Sequence, residues 1–248
     1  MKSGWIRVLG PLAVSAAFAA PVFATSATSF SSFAGEEEPT VIYNASSGSF
    51  TNDSYDNMTN PSSGVFRFYL RYSSSSWDGD RNTTSTDRQR AEVKGLGANQ
   101  LNGETFEYSH AWKTSRGGNG SFWHVFQLKG VDGDNAAPLV VDSIKSSTNA
   151  QVQYCPGTQS GFTLAKSYTI AVGSFTTTNV RIKASTSASG EVKAAINGGS
   201  MSGVSSVAVY RPSSTEYRPK WGSYRGVNTG SGYGNDTVEQ KSITATKK

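Results

Sequence analysis

From residue 41 onward the chain runs in short stretches of alternating apolar and polar positions, broken by clusters of Gly, Ser, Asn and Asp. Successive side chains of a β-strand point to opposite faces, so this alternation predicts strands joined by turns. Residues 65–72 put Phe66, Phe68, Leu70 and Tyr72 on one face and Arg67, Tyr69 and Arg71 on the other. Residues 88–94 put Arg88, Arg90, Glu92 and Lys94 on one face, and residues 105–113 gather Phe106, Tyr108, His110 and Trp112. Residues 121–129 place Trp123, Val125, Gln127 and Lys129 on one side and Phe122, His124, Phe126 and Leu128 on the other. Further runs at 139–144, 151–154, 167–172, 179–184, 191–196 and 205–211 complete the set. No segment has a helical period, and no repeat of fixed length occurs. So many strands in one domain imply two stacked sheets. The expected fold is all-β, a β-jelly-roll sandwich of two antiparallel sheets with a concave groove able to hold an extended chain.

The first forty residues read differently. Lys2 and Arg7 precede an apolar run from Val8 to Ala20, then Val22-Phe23-Ala24. This order predicts a signal peptide over 1–24, cut before Thr25, and a secreted, extracellular protein. A membrane anchor would need a longer apolar run than one interrupted by Gly10 and Pro11. Residues 25–40, rich in Ser, Thr and Ala and ending Glu36-Glu37-Glu38-Pro39, are read as a flexible leader, and 41–248 as the jelly-roll domain.

Charge narrows the partners. The 248 residues carry a formal +5, which falls to +3 when Lys2 and Arg7 leave with the signal. That is too weak for a nucleic-acid binder but suits an acidic polymer if the cations are gathered in one place. No membrane partner is expected, and the protein is expected to act as a monomer. The single cysteine, Cys155, excludes an internal disulfide and is read as buried and inert. Six Asn-X-Ser/Thr sequons, at Asn44, Asn52, Asn57, Asn82, Asn119 and Asn235, would carry glycans in a eukaryotic source.

Three polar strings carry the chemistry: Arg88-Gln-Arg90-Ala-Glu92-Val-Lys94, Phe126-Gln127-Leu-Lys129 and Lys220-Trp-Gly-Ser-Tyr224-Arg225. A strand face bearing Arg, Glu and Lys together is either ordinary solvated surface or the lining of a groove for a charged ligand. Arg67, Arg71, Arg88, Arg90, Lys94, Lys129 and Lys220 supply cations, and Tyr69, Tyr108, Trp112, Trp123 and Trp221 supply flat surfaces. Arginine binds carboxylates through paired hydrogen bonds, and rings make platforms for sugars. Together they suggest an anionic polysaccharide. A uronate polymer breaks by β-elimination once its carboxylate is neutralised: a base removes the C5 proton and an acid protonates the departing O4. Tyrosine, with an ordinary pKa near 10, can serve in either role if nearby cations depress it, and Arg90, Lys129 and Lys220 are expected to provide that field.

These strings resemble the motifs of the jelly-roll polysaccharide lyases. Alginate lyases of polysaccharide lyase family 7 carry Arg-X-Glu-X-Arg, Gln-Ile-His and Tyr-X-Lys-X-Gly-X-Tyr. Here Lys129 stands in place of the histidine and Arg218 in place of the first tyrosine. The wording Ala91-Glu-Val-Lys-Gly95, His124-Val-Phe-Gln-Leu-Lys129 and Lys220-Trp-Gly-Ser-Tyr-Arg225 is more similar to the glucuronan lyases of polysaccharide lyase family 20. The resemblance covers about residues 41–245. It implies that Gln127, helped by Arg90, neutralises the substrate carboxylate, and that Tyr224 moves the protons. In glucuronate and mannuronate H5 and O4 lie on one side of the ring, so one tyrosine suffices. The family histidine's absence therefore points to β-1,4-glucuronan.

The remaining polar residues are assigned by parity. His124 is an odd number of positions from Gln127, so it is expected on the opposite, core face. His110 is a candidate second base or substrate contact. Glu92 fixes Arg90 and Lys94. The expected catalytic residues are Tyr224, Gln127, Arg90 and His110, with Arg67, Arg71, Arg88, Glu92, Lys94, Lys129, Trp112 and Lys220 as substrate contacts. No cofactor is required. Asp132-Gly133-Asp134-Asn135 is either a structural calcium loop or an ordinary Asp-Gly turn.

The reading is a secreted lyase that cleaves polyglucuronate and leaves 4,5-unsaturated ends. The alternatives are an alginate lyase acting on polymannuronate and a non-catalytic carbohydrate-binding module. A glycoside hydrolase would need two carboxylates flanking the bond. The Glu-X-Asp-X-(X)-Glu string of laminarinase-type jelly rolls is absent.

Overall fold

The computed structural model describes residues 32–35, 42–44, 49–51, 58–62, 64–70, 88–95, 97–131, 138–157, 161–226 and 234–248. Its strands, in chain order, are β1 (Ser32–Gly35), β2 (Ile42–Asn44), β3 (Ser49–Thr51), β4 (Met58–Ser62), β5 (Val65–Leu70), β6 (Arg88–Gly95), β7 (Gln100–Leu101), β8 (Thr105–Thr114) and β9 (Trp123–Gly130). There follow β10 (Val140–Ile144), β11 (Asn149–Tyr154), β12 (Thr163–Thr169), β13 (Thr176–Lys183), β14 (Ser185–Ile196), β15 (Ser202–Val209), β16 (Glu216–Gly226) and β17 (Asp236–Lys247). The predicted signal peptide, Arg71 and the Asp132–Asn135 string lie outside the described residues.

Two antiparallel sheets make a jelly-roll sandwich. One has ten strands, in the order β12-β11-β10-β9-β16-β6-β1-β2-β3 with β7 beside β16. The other has seven, in the order β15-β14-β13-β8-β17-β5-β4. The facing surfaces bury Ala91, Val93, Phe126, Leu128 and Trp221 from the first sheet against Phe68, Tyr108, Ile182 and Val238 from the second. Rings lock the layers together: Tyr108 lies 5.4 Å from Phe126 and 6.3 Å from Trp221. Burial of each such side chain stabilises the fold by about 1.5–3 kcal/mol.

Several elements differ from the expectation. Residues 32–35, assigned to the flexible leader, form β1 and pair with β6. The Lys220 string lies within a long strand, β16, between β9 and β6. β17 was not foreseen, because polar Gln240 occupies an inward position and the strand shifts register near Ser242, where φ is 52°. Its Thr, Val and Ile content nonetheless suits a strand.

The face shared by Tyr108, His110 and Trp112 is the interior. His110 and Trp112 are each 1% exposed, so neither can touch substrate as expected. Trp112 Nε1–H donates to Thr178 Oγ1 at 3.1 Å. His110 sits between the sheets, its Nδ1 3.2 Å from Gln240 Oε1 and its Nε2 3.6 Å from Asp142 Oδ2. Arg67 is also displaced from its expected place. It lies on β5 in the second sheet, where Nε donates to Glu239 at 2.8 Å beside Lys113. These residues and Tyr69 line a separate depression of about 330 Å³.

Candidate active site

β6 supplies the charged wall. Gln89, Ala91 and Val93 point inward, and Arg88, Arg90, Glu92 and Lys94 point outward. β6 and β16 run in unbroken register, which sets Lys220 beside Lys94 and Tyr224 beside Arg90. Gly222 lies between them opposite Glu92 with φ 148°, and a Cβ there would come within 2.2 Å of the Ala91 carbonyl oxygen. Glycine is what lets the two backbones approach this closely.

β9 breaks the regular alternation. Against β10 its pairing shifts between Asp142 and Ser143, and against β16 it shifts between Trp221 and Tyr224. An extra residue in a strand reverses the parity beyond it. Gln127 pairs with Lys220, and three residues earlier His124 pairs with Tyr224. His124 therefore lies on the outer face with Gln127, and the expectation that it faces the core fails. Trp123 takes the inward position instead, with its Nε1–H donating to Ser223 Oγ at 2.8 Å.

The result is a cleft of about 520 Å³ lined by Arg88, Phe122, His124, Gln127, Lys129, Pro138, Lys145, Gln153, Phe162 and Tyr224. That volume is within the range of ordinary ligand sites. Four of the expected residues line it: Arg88, Gln127, Lys129 and Tyr224. Arg90, Glu92, Lys94 and Lys220 flank it on the same face. Lys145, Gln153 and Phe162 are cleft residues that parity and motif did not single out, and His124 is one that parity assigned to the core. Among the described residues no cluster of three or more His, Cys, Asp or Glu could hold a metal ion.

Polar contacts fix the lining. Gln127 Nε2 lies 2.7 and 2.8 Å from the two Glu92 carboxylate oxygens, and Glu92 also reaches Arg90 Nε at 3.9 Å. Glu92 thus orients Gln127 and lies beside Arg90, where the expectation paired it with Arg90 and Lys94. Gln127 Oε1 is buried and has no hydrogen-bond partner. Arg88 Nη1 donates to the Tyr224 hydroxyl at 3.2 Å, and the Arg90 guanidinium lies 5.3 Å from the Tyr224 ring centre. His124 Nδ1 is 2.7 Å from Ser143 Oγ.

Aromatic neighbours set the electrostatics of the pair. Phe122 stacks on His124 at 5.1 Å and meets Tyr224 edge-on at 5.1 Å, while Phe162 closes on His124 at 6.4 Å. His124 and Tyr224 are 6.0 Å apart, ring centre to ring centre. Loss of water around the imidazole, with Lys145 nearby, lowers the His124 pKa to about 3. The same desolvation raises the Tyr224 pKa and outweighs the opposing pull of the Arg88 hydrogen bond and charge, so the expected lowering by nearby cations does not hold. At neutral pH both groups are uncharged. One presents an imidazole lone pair and the other a phenolic proton.

The buried imidazole makes the fold acid-sensitive. The unfolded chain takes up a proton on His124 below its ordinary pKa of about 6.5, whereas the folded chain does so only near 3. Stability present above pH 6.5 is therefore lost as pH falls towards 3. Each pH unit of that window carries about 1.36 kcal/mol, so the whole carries on the order of 5 kcal/mol. Thermal melts between pH 7 and 4 should show a falling Tm, and the fall should be shallower in His124→Asn. Equal slopes in the two proteins would exclude this origin.

No family model matches the chain, and no curated protein matches it by sequence. Solved structures do. An endo-β-1,4-glucuronan lyase from the fungus Trichoderma reesei aligns with TM-score 0.58 and 14% identity, over 78% of this chain and 91% of that one. Alginate lyase A1-II′, of polysaccharide lyase family 7, aligns with TM-score 0.55 and 18% identity over 77% and 83%. An alginate lyase from Pseudomonas aeruginosa aligns with TM-score 0.52 and 17% identity over 78% and 86%. The shared fold is that of the jelly-roll polysaccharide lyases, in line with the motif resemblance.

Proposed function

We propose that this chain is a polysaccharide lyase that cleaves a polyuronate by β-elimination, with β-1,4-glucuronan as its substrate, and that it acts as a secreted enzyme. The observation that carries the reading is the uncharged His124–Tyr224 pair on the floor of a cation-lined cleft. In the proposed step Nδ1–H of His124 donates to Ser143, which leaves the lone pair on Nε2. That nitrogen takes H5, the C5–H electrons form the C4=C5 bond, and the C4–O4 bond breaks. Tyr224 gives its proton to O4. Arg88, already donating to the phenol oxygen, stabilises the phenolate, and proton return from His124 restores both groups. Gln127, Lys129 and Lys145 face the substrate carboxylate, whose negative charge also raises the basicity of His124 when substrate is bound.

Substrate choice follows from direction of approach. His124 and Tyr224 rise from one sheet face on adjacent strands. Both reach the same side of a sugar lying across them, where H5 and O4 stand in glucuronate and mannuronate. Guluronate presents these groups on opposite sides. The motif wording and the glucuronan lyase fold likeness favour glucuronate over mannuronate. The histidine replaced by Lys129 no longer argues for a single-residue mechanism, because His124 enters the site from the other side of Gln127.

The test is absorbance near 235 nm, where unsaturated uronate ends absorb, on β-1,4-glucuronan, polymannuronate and polyguluronate side by side. The expected result is a rise on glucuronan, a weaker one on polymannuronate and none on polyguluronate. A flat trace on all three would sink the proposal.

A further inference from the structure

Gln240 sits on β17, in the sheet that does not form the cleft, and is fully buried. Its side chain reaches across the interior. Nε2 donates to the Val125 carbonyl at 2.7 Å and to the Gly222 carbonyl at 3.0 Å. Both carbonyls belong to the stretch where β9 and β16 lose register, between the pairs Trp221–Phe126 and Tyr224–His124, so neither residue has a partner in that ladder. A buried carbonyl without a donor is costly, and one amide nitrogen supplies both. The other end of the amide is held too. Gln240 Oε1 accepts from His110 Nδ1–H at 3.2 Å. His110 Nε2 faces Asp142 Oδ2 at 3.6 Å, and Asp142 Oδ1 accepts from the Tyr168 hydroxyl at 2.5 Å. Asp142 borders the second register shift, beside the Ser143 that holds His124. The hydrogen bonds therefore run from the β9–β16 irregularity to His110, whose Nε2 lies 3.6 Å from the Asp142 that borders the other.

We infer that Gln240, backed by His110, is the positioning residue that keeps His124 opposite Tyr224. The inference rests on the lyase reading for its effect on turnover, and on geometry alone for its effect on His124. Without the amide donor the Val125 and Gly222 carbonyls lose the side chain that ties them to the opposite sheet. A one-residue slip of β9 regains ladder bonds for them, and such a slip turns His124 to the opposite face.

Gln240→Met keeps the length of the side chain and removes both donors. It is expected to lower kcat about 10- to 100-fold while KM stays within about threefold, because Gln127, Lys129 and Lys145 still hold the polymer. Ring signals of His124 in carbon–proton correlation spectra should move, although Gln240 does not touch that ring. The chain has two histidines, so the assignment is short. Val192→Ala serves as the control for lost stability. It opens a small cavity on β14 of the same sheet, away from the Gln240 contacts and from both register shifts. If Gln240→Met does not fold, His110→Phe removes only the far support and should give the same changes at about 3- to 10-fold. The inference is overturned if His124 keeps its wild-type signals, or if kcat falls no further than in Val192→Ala. A wild type that is inactive on every polyuronate would refute the lyase reading, and the His124 signals would still decide the positioning.

Discussion

Tyr224→Phe is expected to fold, to bind polymer, and to turn over about 10³-fold more slowly than the wild type. The ring keeps its neighbours: Phe122 at 5.1 Å, His124 at 6.0 Å and the Arg90 guanidinium at 5.3 Å. Only the hydroxyl that accepts from Arg88 is removed. The cations that meet the uronate carboxylates lie elsewhere in the cleft, so affinity should change little. In the proposed step what is lost is the acid that protonates O4, and O4 without a proton is a poor leaving group. Initial rates at 235 nm together with titration calorimetry on the same polymer separate the two effects. A variant that retains turnover would remove Tyr224 from the mechanism, whatever its affinity.

His124→Asn is expected to lose about 10²- to 10³-fold in kcat, again with binding largely kept. This variant separates two mechanisms on one site. If Tyr224 handles both protons, His124 is only a wall of the cleft, and its loss should cost less than about tenfold. If the pair divides the work, the double variant with Tyr224→Phe should be scarcely slower than either single one, because groups acting as a unit are not additive. Rate constants for the four proteins decide between the two schemes. The raised pKa of Tyr224 favours the divided scheme, since desolvation keeps the phenol protonated and suits it to give a proton before taking one.

The sheets were legible because most of their strands obey the two-residue period. Phe66, Phe68 and Leu70 go inward as the alternation requires, and so do Ala91 and Val93. β6 even predicts its own chemistry, since its outward face carries Arg88, Arg90, Glu92 and Lys94. The errors in the site share one cause. Parity counted from Gln127 sends His124 inward, and two register shifts that leave no mark in the local sequence send it outward. Only Gly222, at a position where any side chain would strike β6, hints at an irregular approach. His110 and Trp112 failed for the converse reason. An alternating aromatic face reads equally well as a sugar platform or as a core, and only the partner sheet decides. Arg67 is a cation on a strand whose outward side belongs to the wrong sheet.

The place of β17 has a consequence for biosynthesis. This strand lies between β8 and β5 in the middle of its sheet, and Arg67 on β5 bonds Glu239 across 172 positions of sequence. Every proposed proton-transfer and carboxylate-binding residue precedes it. At about 5–20 residues per second, roughly 8 to 30 s pass between the synthesis of β6 and that of β17. During that interval β5 and β8 lack a shared neighbour, and the carbonyls of Val125 and Gly222 lack Gln240. A nascent chain halted after β16 would contain the whole catalytic row and hold it in no fixed geometry. The proposed activity should therefore arrive in a single late event, and whatever handles the chain before then meets open strand edges but no completed cleft.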